Sequence, residues 1–236
     1  MRRYEKTAHD LGFSKVSKLK LAVVNAIDQY VSDGGFLFAM CSATDTYDIA
    51  RAAWKTDIVP SEFDGDAIDP NCNSQLDFSK TLAFENFEVI TNPLIYEHSN
   101  IDTSPTRATA GLTQETDYFS LFDFSAKWDP VPTMLIQDHT QVVDGFWGQT
   151  TGFNKKYIKK SVTILGETEG LNEAKYIHGN YGKGTFTFLG GHDPEDYQHM
   201  IGDPPTDLLL FKHSPGYRLI LNNVLFPAAK KKERKT

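Results

Sequence analysis

Gly34-Gly35-Phe36-Leu37-Phe38-Ala39-Met40-Cys41-Ser42-Ala43 runs from paired glycines through five apolar residues to a cysteine, and its surroundings decide the fold. A short continuous apolar run is the pattern of a strand covered on both faces. After it, residues 43–54 place Tyr47, Ile49, Ala50, Ala53 and Trp54 at helical spacing. Before it, residues 17–31 put Leu19, Val23, Ala26, Ile27, Tyr30 and Val31 on one helical face, with Ser14 or Ser17 as the cap. Gly34-Gly35 stops that helix, because glycine enters the left-handed conformation without steric cost. Helix, apolar strand and helix in close succession predict an α/β fold with a parallel sheet and crossover helices.

Farther along, residues 58–128 are rich in Asp, Asn, Ser, Thr and Pro, with only fragments such as Phe87-Glu88-Val89-Ile90 resembling strands. A loop of that length without structure of its own is improbable. The segment is read as an insertion with short elements, packed over one edge or end of the sheet within a single domain spanning residues 1–236. Thr133-Met134-Leu135-Ile136-Gln137 and residues 161–166 read as strands. Lys175-Tyr176-Ile177-His178 and residues 185–189 read as a hairpin around a turn at 179–182. A last helix at 217–225 is stopped by Pro227. This yields only about three parallel strands, below the usual sheet size. A partner chain or a missing N-terminal segment is therefore expected to complete the sheet.

The chain of 236 residues is 40% hydrophobic and 23% charged, as in ordinary folded domains. A net charge of −7 argues against a nucleic-acid backbone binder. The basic run Lys230-Lys231-Lys232-Glu233-Arg234-Lys235 reads as a solvated tail. No run reaches the roughly 18 apolar residues of a spanning helix, and no leader pattern follows Met1. On this sequence alone a cytoplasmic protein without membrane contact is expected, any export signal falling on an absent N-terminal portion. Two cysteines, Cys41 and Cys72, make no disulfide framework.

Chemistry concentrates in two places. A strand leading into a nucleophile and then a helix is elbow geometry, which needs small residues two before and two after the nucleophile. Here those are Ala39 and Ala43. Cys41 also precedes a helix, whose N-terminal partial positive charge favours a nucleophilic thiolate. The plain alternative is a small buried hydrophobe. The second place is Leu189-Gly190-Gly191-His192-Asp193-Pro194-Glu195, a strand end carrying a histidine with two carboxylates nearby. His192 suits a general base for a thiol, with Asp193 or Glu195 fixing its tautomer. Ser42, Trp147 and Gln149 are the candidate substrate contacts. Trp147 and Gln149 lie in the glycine-aromatic loop Gly145-Phe146-Trp147-Gly148-Gln149-Thr150-Thr151-Gly152. The substrate is expected to be a small molecule, with no cofactor.

An elbow cysteine followed by a strand-end histidine and an acid resembles the flavodoxin-like, class I glutamine amidotransferase-like fold. That likeness implies a Cys-His-Glu triad hydrolysing a side-chain amide. Tyr181-Gly182-Lys183-Gly184-Thr185 leading to His192, then Leu221-Asn222-Asn223-Val224-Leu225, resembles the trehalose-utilization (ThuA-like) branch. Residues 34–50 and Lys80-Thr81-Leu82-Ala83-Phe84-Glu85-Asn86-Phe87 are similar to a bacterial family, frequent in Bacteroidetes, labelled "asparagine synthetase B". Its members extend farther at the N-terminus, so the resemblance implies absent N-terminal strands.

Against the label, residue 2 is Arg2 rather than a cysteine, and no Ser-Gly-Gly-x-Asp-Ser or Gly-x-x-x-x-Gly-Lys-Ser/Thr loop occurs. ATP-dependent asparagine synthesis is not supported by these motifs. Ala-Met-Cys-Ser-Ala replaces the fold's Gly-x-Cys-x-Gly, and His-Asp-Pro-Glu replaces His-Pro-Glu. The alternative function is a non-catalytic carbohydrate- or metabolite-binding module. Asp64-Gly65-Asp66-Ala67-Ile68-Asp69 lacks the spacing of a calcium loop, and the set His192, Asp193, Glu195 and His199 lacks zinc-type spacing. No metal is assigned.

Overall fold

The helical spacing around Leu19 and Val31 folds as α2 (Val16–Ser32), preceded by α1 (Arg2–Asp10). Its packed face is turned from the one expected: Val24 and Ile27 meet the core, while Val23, Ala26 and Tyr30 are exposed. In this computed structural model, residues 2–113, 115–123, 130–195 and 202–229 are described. Lys15, rather than Ser14 or Ser17, occupies the N-cap of α2, without a side-chain cap bond. Its ammonium instead reaches Asp57 at 3.3 Å and Asp64 at 3.4 Å, and pairs closely with Asp66.

Phe36–Met40 is strand β1 and Ala43–Ala52 is helix α3, so the deciding stretch folds as read. The chain then forms α4 (Ser61–Asp64), α5 (Ser104–Thr109), β2 (Tyr118–Leu121) and α6 (Pro130–Leu135). There follow β3 (Val142–Asp144), β4 (Phe153–Asn154), β5 (Thr163–Thr168), β6 (Glu173–Tyr181), β7 (Gly184–Leu189) and α7 (Pro215–Leu225).

The sheet is mixed, in the order β1-β7-β6-β5-β2-β3, with β4 also pairing β6. Among the described residues, only β1 and β7 pair in parallel, from Phe36 opposite Thr185 to Met40 opposite Leu189. The other pairings are antiparallel, which corrects the expected parallel sheet. Connection length is the cause. Residues 169–172 and 182–183 are too short to cross over a sheet face, and a parallel neighbour needs roughly a dozen residues. The β6–β7 hairpin closes at 182–183, with Tyr181 opposite Gly184, so the turn lies beyond the expected 179–182. Residues 133–135 fall in helix α6 rather than a strand. Prolines at 130 and 132 suit a first helical turn and cannot donate to a ladder.

Side-chain alternation along β1 feeds two cores. Leu37 and Ala39 face one side with Tyr47, Ile49 and Ala52 of α3 and with Phe186 and Phe188 of β7. Phe36, Phe38 and Met40 face the other, with Leu135, Phe146, Leu189, Leu219 and Phe226. The first core also takes Leu82, Ala83, Phe84, Phe87, Val89 and Ile101. The insertion therefore covers a face of the sheet and also extends it, since β2 lies within it and pairs β5 and β3. Its strand-like fragment contributes a single antiparallel bridge, Val89 with Ser99.

Asp48 ties that insertion to α3. Its carboxylate accepts the backbone N–H groups of Leu82, Ala83 and Phe84 at 2.7, 2.7 and 2.8 Å. Burial pushes the carboxyl up to about 6, and the three amide donors pull it back. Replacing Asp48 with Ala leaves those buried donors without an acceptor. The expected loss is about 4 kcal/mol of unfolding free energy by urea titration, with a smaller loss for Asp48→Asn. Equal stability of Asp48→Ala and wild type would show that the tie carries no energy.

Candidate active site

Cys41 leaves β1 with φ 55°, a left-handed conformation rare for a residue with a Cβ. Holding it there costs on the order of 1–3 kcal/mol, so the surrounding backbone must enforce it. The Cys41 N–H lies between two acceptors on the β7 side, the carbonyls of Leu189 (3.1 Å) and Gly191 (2.9 Å). The Cys41 carbonyl accepts from the Thr44 amide at 3.1 Å and the Thr44 hydroxyl at 2.6 Å. The peptide units on both sides of Cys41 are thereby fixed at the start of α3.

Parallel pairing puts Leu189 and Met40 side by side, so the residues after each strand emerge at the same end of the sheet. His192 arrives there through a turn at Gly191 (φ 75°), where a Cβ would run into the Phe146 carbonyl. Gly148 sits between the Cys41 and His192 side chains. A Cβ at Gly148 would lie 2.8 Å from Cys41 Sγ and 2.9 Å from His192 Cδ2. Thiol and imidazole are thus no farther apart than those two distances laid end to end. Cδ2 is bonded to Nε2, the nitrogen that takes a nucleophile's proton in hydrolase triads.

The loop holding Gly148 also supplies a donor to the sulfur: the Gln149 N–H points at Cys41 Sγ at 3.2 Å. Sequence reasoning named Gln149 for its side chain, but the backbone amide meets the thiol. The Gln149 carboxamide instead donates to the Tyr96 carbonyl at 3.1 Å and contacts His98 Nε2 at 2.7 Å. Ser42 begins α3, and among the described residues its N–H donates to no backbone carbonyl. Trp147 forms an isolated bridge with Asp193, and its carbonyl accepts the His192 N–H at 3.1 Å. The Asp193 carboxylate accepts from the Tyr217 hydroxyl at 3.0 Å and the Glu195 amide at 3.1 Å. Among the described residues, no hydrogen bond joins the Glu195 carboxylate to the His192 ring. His192 itself is exposed, and Cys41 is half-buried.

Several neighbours were not singled out in the sequence. Tyr96 and His98, on the insertion, meet the Gln149 side chain; burial and then the nearby Cys41 raise the Tyr96 hydroxyl, and burial lowers the His98 imidazole. Behind the elbow, Asp45 is fully buried and accepts the Thr150 hydroxyl at 2.9 Å, while its Oδ2 has no partner among the described residues. Burial pushes the Asp45 carboxyl up to about 7, with Thr150 opposing and the nearby Asp102 adding to the rise. Asp102 is itself pushed up to about 6 by burial. The polar character of residues 96–104 reads as loop, so only their placement against the elbow reveals them.

Asp57, Asp64 and Asp66 have carboxylate oxygens within 4.8 Å of one another. Lys15 already supplies the positive charge between them. Cys72 is buried as a free thiol in the insertion. His199 and the basic run 230–235 lie outside the described residues. Among the described residues, no helix is long and apolar enough to cross a membrane.

Asp45 makes stability depend on pH. Its folded-state value lies above that of an exposed carboxyl, so the folded state holds the proton more tightly than the unfolded chain. The associated stability is complete below the unfolded value and is lost as pH rises through about 7. Asp45→Asn keeps an acceptor for Thr150 and removes this titration. Relative to wild type, the variant should gain stability between about pH 4 and about pH 8, on the order of 3 kcal/mol, read from denaturant midpoints. A difference that stays constant with pH would show that Asp45 does not titrate there.

Comparisons with protein families, with curated proteins and with solved structures found no match to this chain, so its chemistry is taken from the site's own geometry.

Proposed function

We propose that the protein is a cysteine-dependent amide hydrolase or amidotransferase-like enzyme, with Cys41 as nucleophile and His192 as general base and acid. The observation that carries this reading is the left-handed Cys41 at the end of β1, with the His192 ring packed on the same glycine as its sulfur. A buried cysteine kept only for packing needs neither a strained backbone nor a histidine and an amide donor aimed around it.

His192 takes the thiol proton, and the sulfur attacks the carbonyl carbon of a small carboxamide. The tetrahedral oxyanion meets the N–H groups at the start of α3, Ser42 foremost. Collapse breaks the C–N bond, His192 returns its proton to the departing amine, and a thioester remains on Cys41. Water then gives a proton to His192 and attacks the thioester, which releases the acid and restores the thiol. Of the two expected acids, Asp193 is the one taken to orient His192, since the Glu195 carboxylate makes no bond to that ring among the described residues. Trp147 and the Gln149 side chain border the substrate.

This keeps the kinship inferred from sequence with class I amidotransferase-like and ThuA-like proteins, carried by the elbow and the strand-end histidine. On this reading the "asparagine synthetase B" label refers to amide chemistry without an ATP step. The mixed sheet would then be a variant of that flavodoxin-like plan. The competing class is a binding module that retains the elbow without its chemistry.

Iodoacetamide labelling of Cys41 against pH separates the two. Wild type should be labelled faster than a free thiol at neutral pH. His192→Ala should remove that excess, and Gly148→Ala should slow labelling by placing a methyl between thiol and imidazole. Ammonia release from small carboxamides should vanish in Cys41→Ser and fall about a hundredfold or more in His192→Ala. Labelling indistinguishable from a free thiol in all three proteins would favour the binding module.

A further inference from the structure

Four ionisable side chains lie beside the thiol loop with almost no access to solvent: Arg107, Asp117, Glu173 and Lys175. Dehydrating charges is costly, and apolar residues of similar size often stabilise as well or better. Such a network therefore invites a reason beyond stability. Arg107 joins both acids: Nη1 lies 2.6 Å from Asp117 Oδ2, while Nε donates to Glu173 at 2.8 Å and Nη2 pairs closely with the same carboxylate. Lys175 donates to Asp117 at 2.9 Å.

What the network holds is the loop 145–152, at both of its ends. At the entry, the Gly145 N–H donates to the Asp117 carbonyl at 2.6 Å, and the Lys175 ammonium donates to the Phe146 carbonyl at 2.7 Å. At the exit, the Thr103 hydroxyl donates to Glu173 while the Thr103 N–H donates to the Gly152 carbonyl at 3.2 Å. Between these pins run Gly148, packed on the thiol and imidazole, and Gln149, whose N–H meets the sulfur. Lys175 also fixes the histidine side, because its carbonyl accepts the Gly190 N–H at 2.8 Å, one residue before the Gly191 carbonyl that holds Cys41.

We infer that the Arg107–Asp117–Lys175–Glu173 network is a positioning device for the thiol site, setting the loop that delivers the Gln149 amide to Cys41. The inference builds on the assignment of Cys41 as nucleophile. Arg107 and Lys175 are positioning residues: they touch neither the sulfur nor the imidazole in this arrangement and act through the loop backbone.

Lys175→Met removes the ammonium at the loop entry and leaves Asp117 paired with Arg107. Thr103→Val removes a single hydroxyl at the exit. Each variant is compared with wild type by iodoacetamide labelling of Cys41 across pH, with thermal melting and Cys72 labelling as measures of intact structure. In Lys175→Met, Cys41 labelling should slow about tenfold, the scale of one hydrogen bond to a charged group, with its midpoint moved to higher pH. Thr103→Val should shift both readings in the same direction by less, and Cys72 should stay protected. A lower melting temperature with wild-type Cys41 rate and midpoint in both variants would overturn the inference and make the network structural only. If Lys175→Met fails to fold, Thr103→Val decides between these outcomes. Loss of His192 dependence in wild type would instead count against the nucleophile itself.

Discussion

The peptide N–H of Cys41 lies between the carbonyls of Leu189 and Gly191, and the site depends on that joint. It extends the parallel β1–β7 pairing one residue past β1 and two past β7, onto the turn that carries His192. A thiol and an imidazole far apart in sequence thus share one rigid backbone contact. Without it, only the Thr44 bonds to the Cys41 carbonyl would hold the residue at φ 55°. The elbow thus depends on two strands as well as on the cysteine's own neighbours.

Charge plays two opposed parts around that joint. Asp48 spends its buried carboxylate on three amides and binds the insertion to α3. Asp45, one turn earlier, has a single hydroxyl partner and an unsatisfied oxygen, so burial dominates and the proton stays to higher pH. Two aspartates of one helix therefore differ in the number of donors aimed at each. The insertion that Asp48 anchors brings Tyr96 and His98 up to the Gln149 side chain, so it forms a wall of the site as well as a cover for the sheet.

The elbow was legible because its signals are local: an apolar run, small residues at 39 and 43, and helical spacing afterwards. His192 was legible as the end of an apolar strand. Strand direction was misread, although the short connections at 169–172 and 182–183 already forbid a crossover. The Gln149 amide that meets the sulfur was not legible, because a backbone N–H leaves no mark on residue identity. Arg107, Asp117, Glu173 and Lys175 look like solvent-facing charges in sequence. Only folding, which brings α5, β2 and β6 together, turns them into a buried set. Contacts between distant segments are the part that residue patterns cannot carry.

The central claim is covalent chemistry at Cys41, and trapping the intermediate tests it most directly. The protein is mixed with an activated acyl ester, quenched in acid and mapped by peptide mass. The account predicts a hydroxylamine-labile acyl group on Cys41, absent from Cys72 and strongly reduced in Gly148→Ala. An acyl group missing from Cys41, or formed there equally well with the glycine replaced, would contradict it.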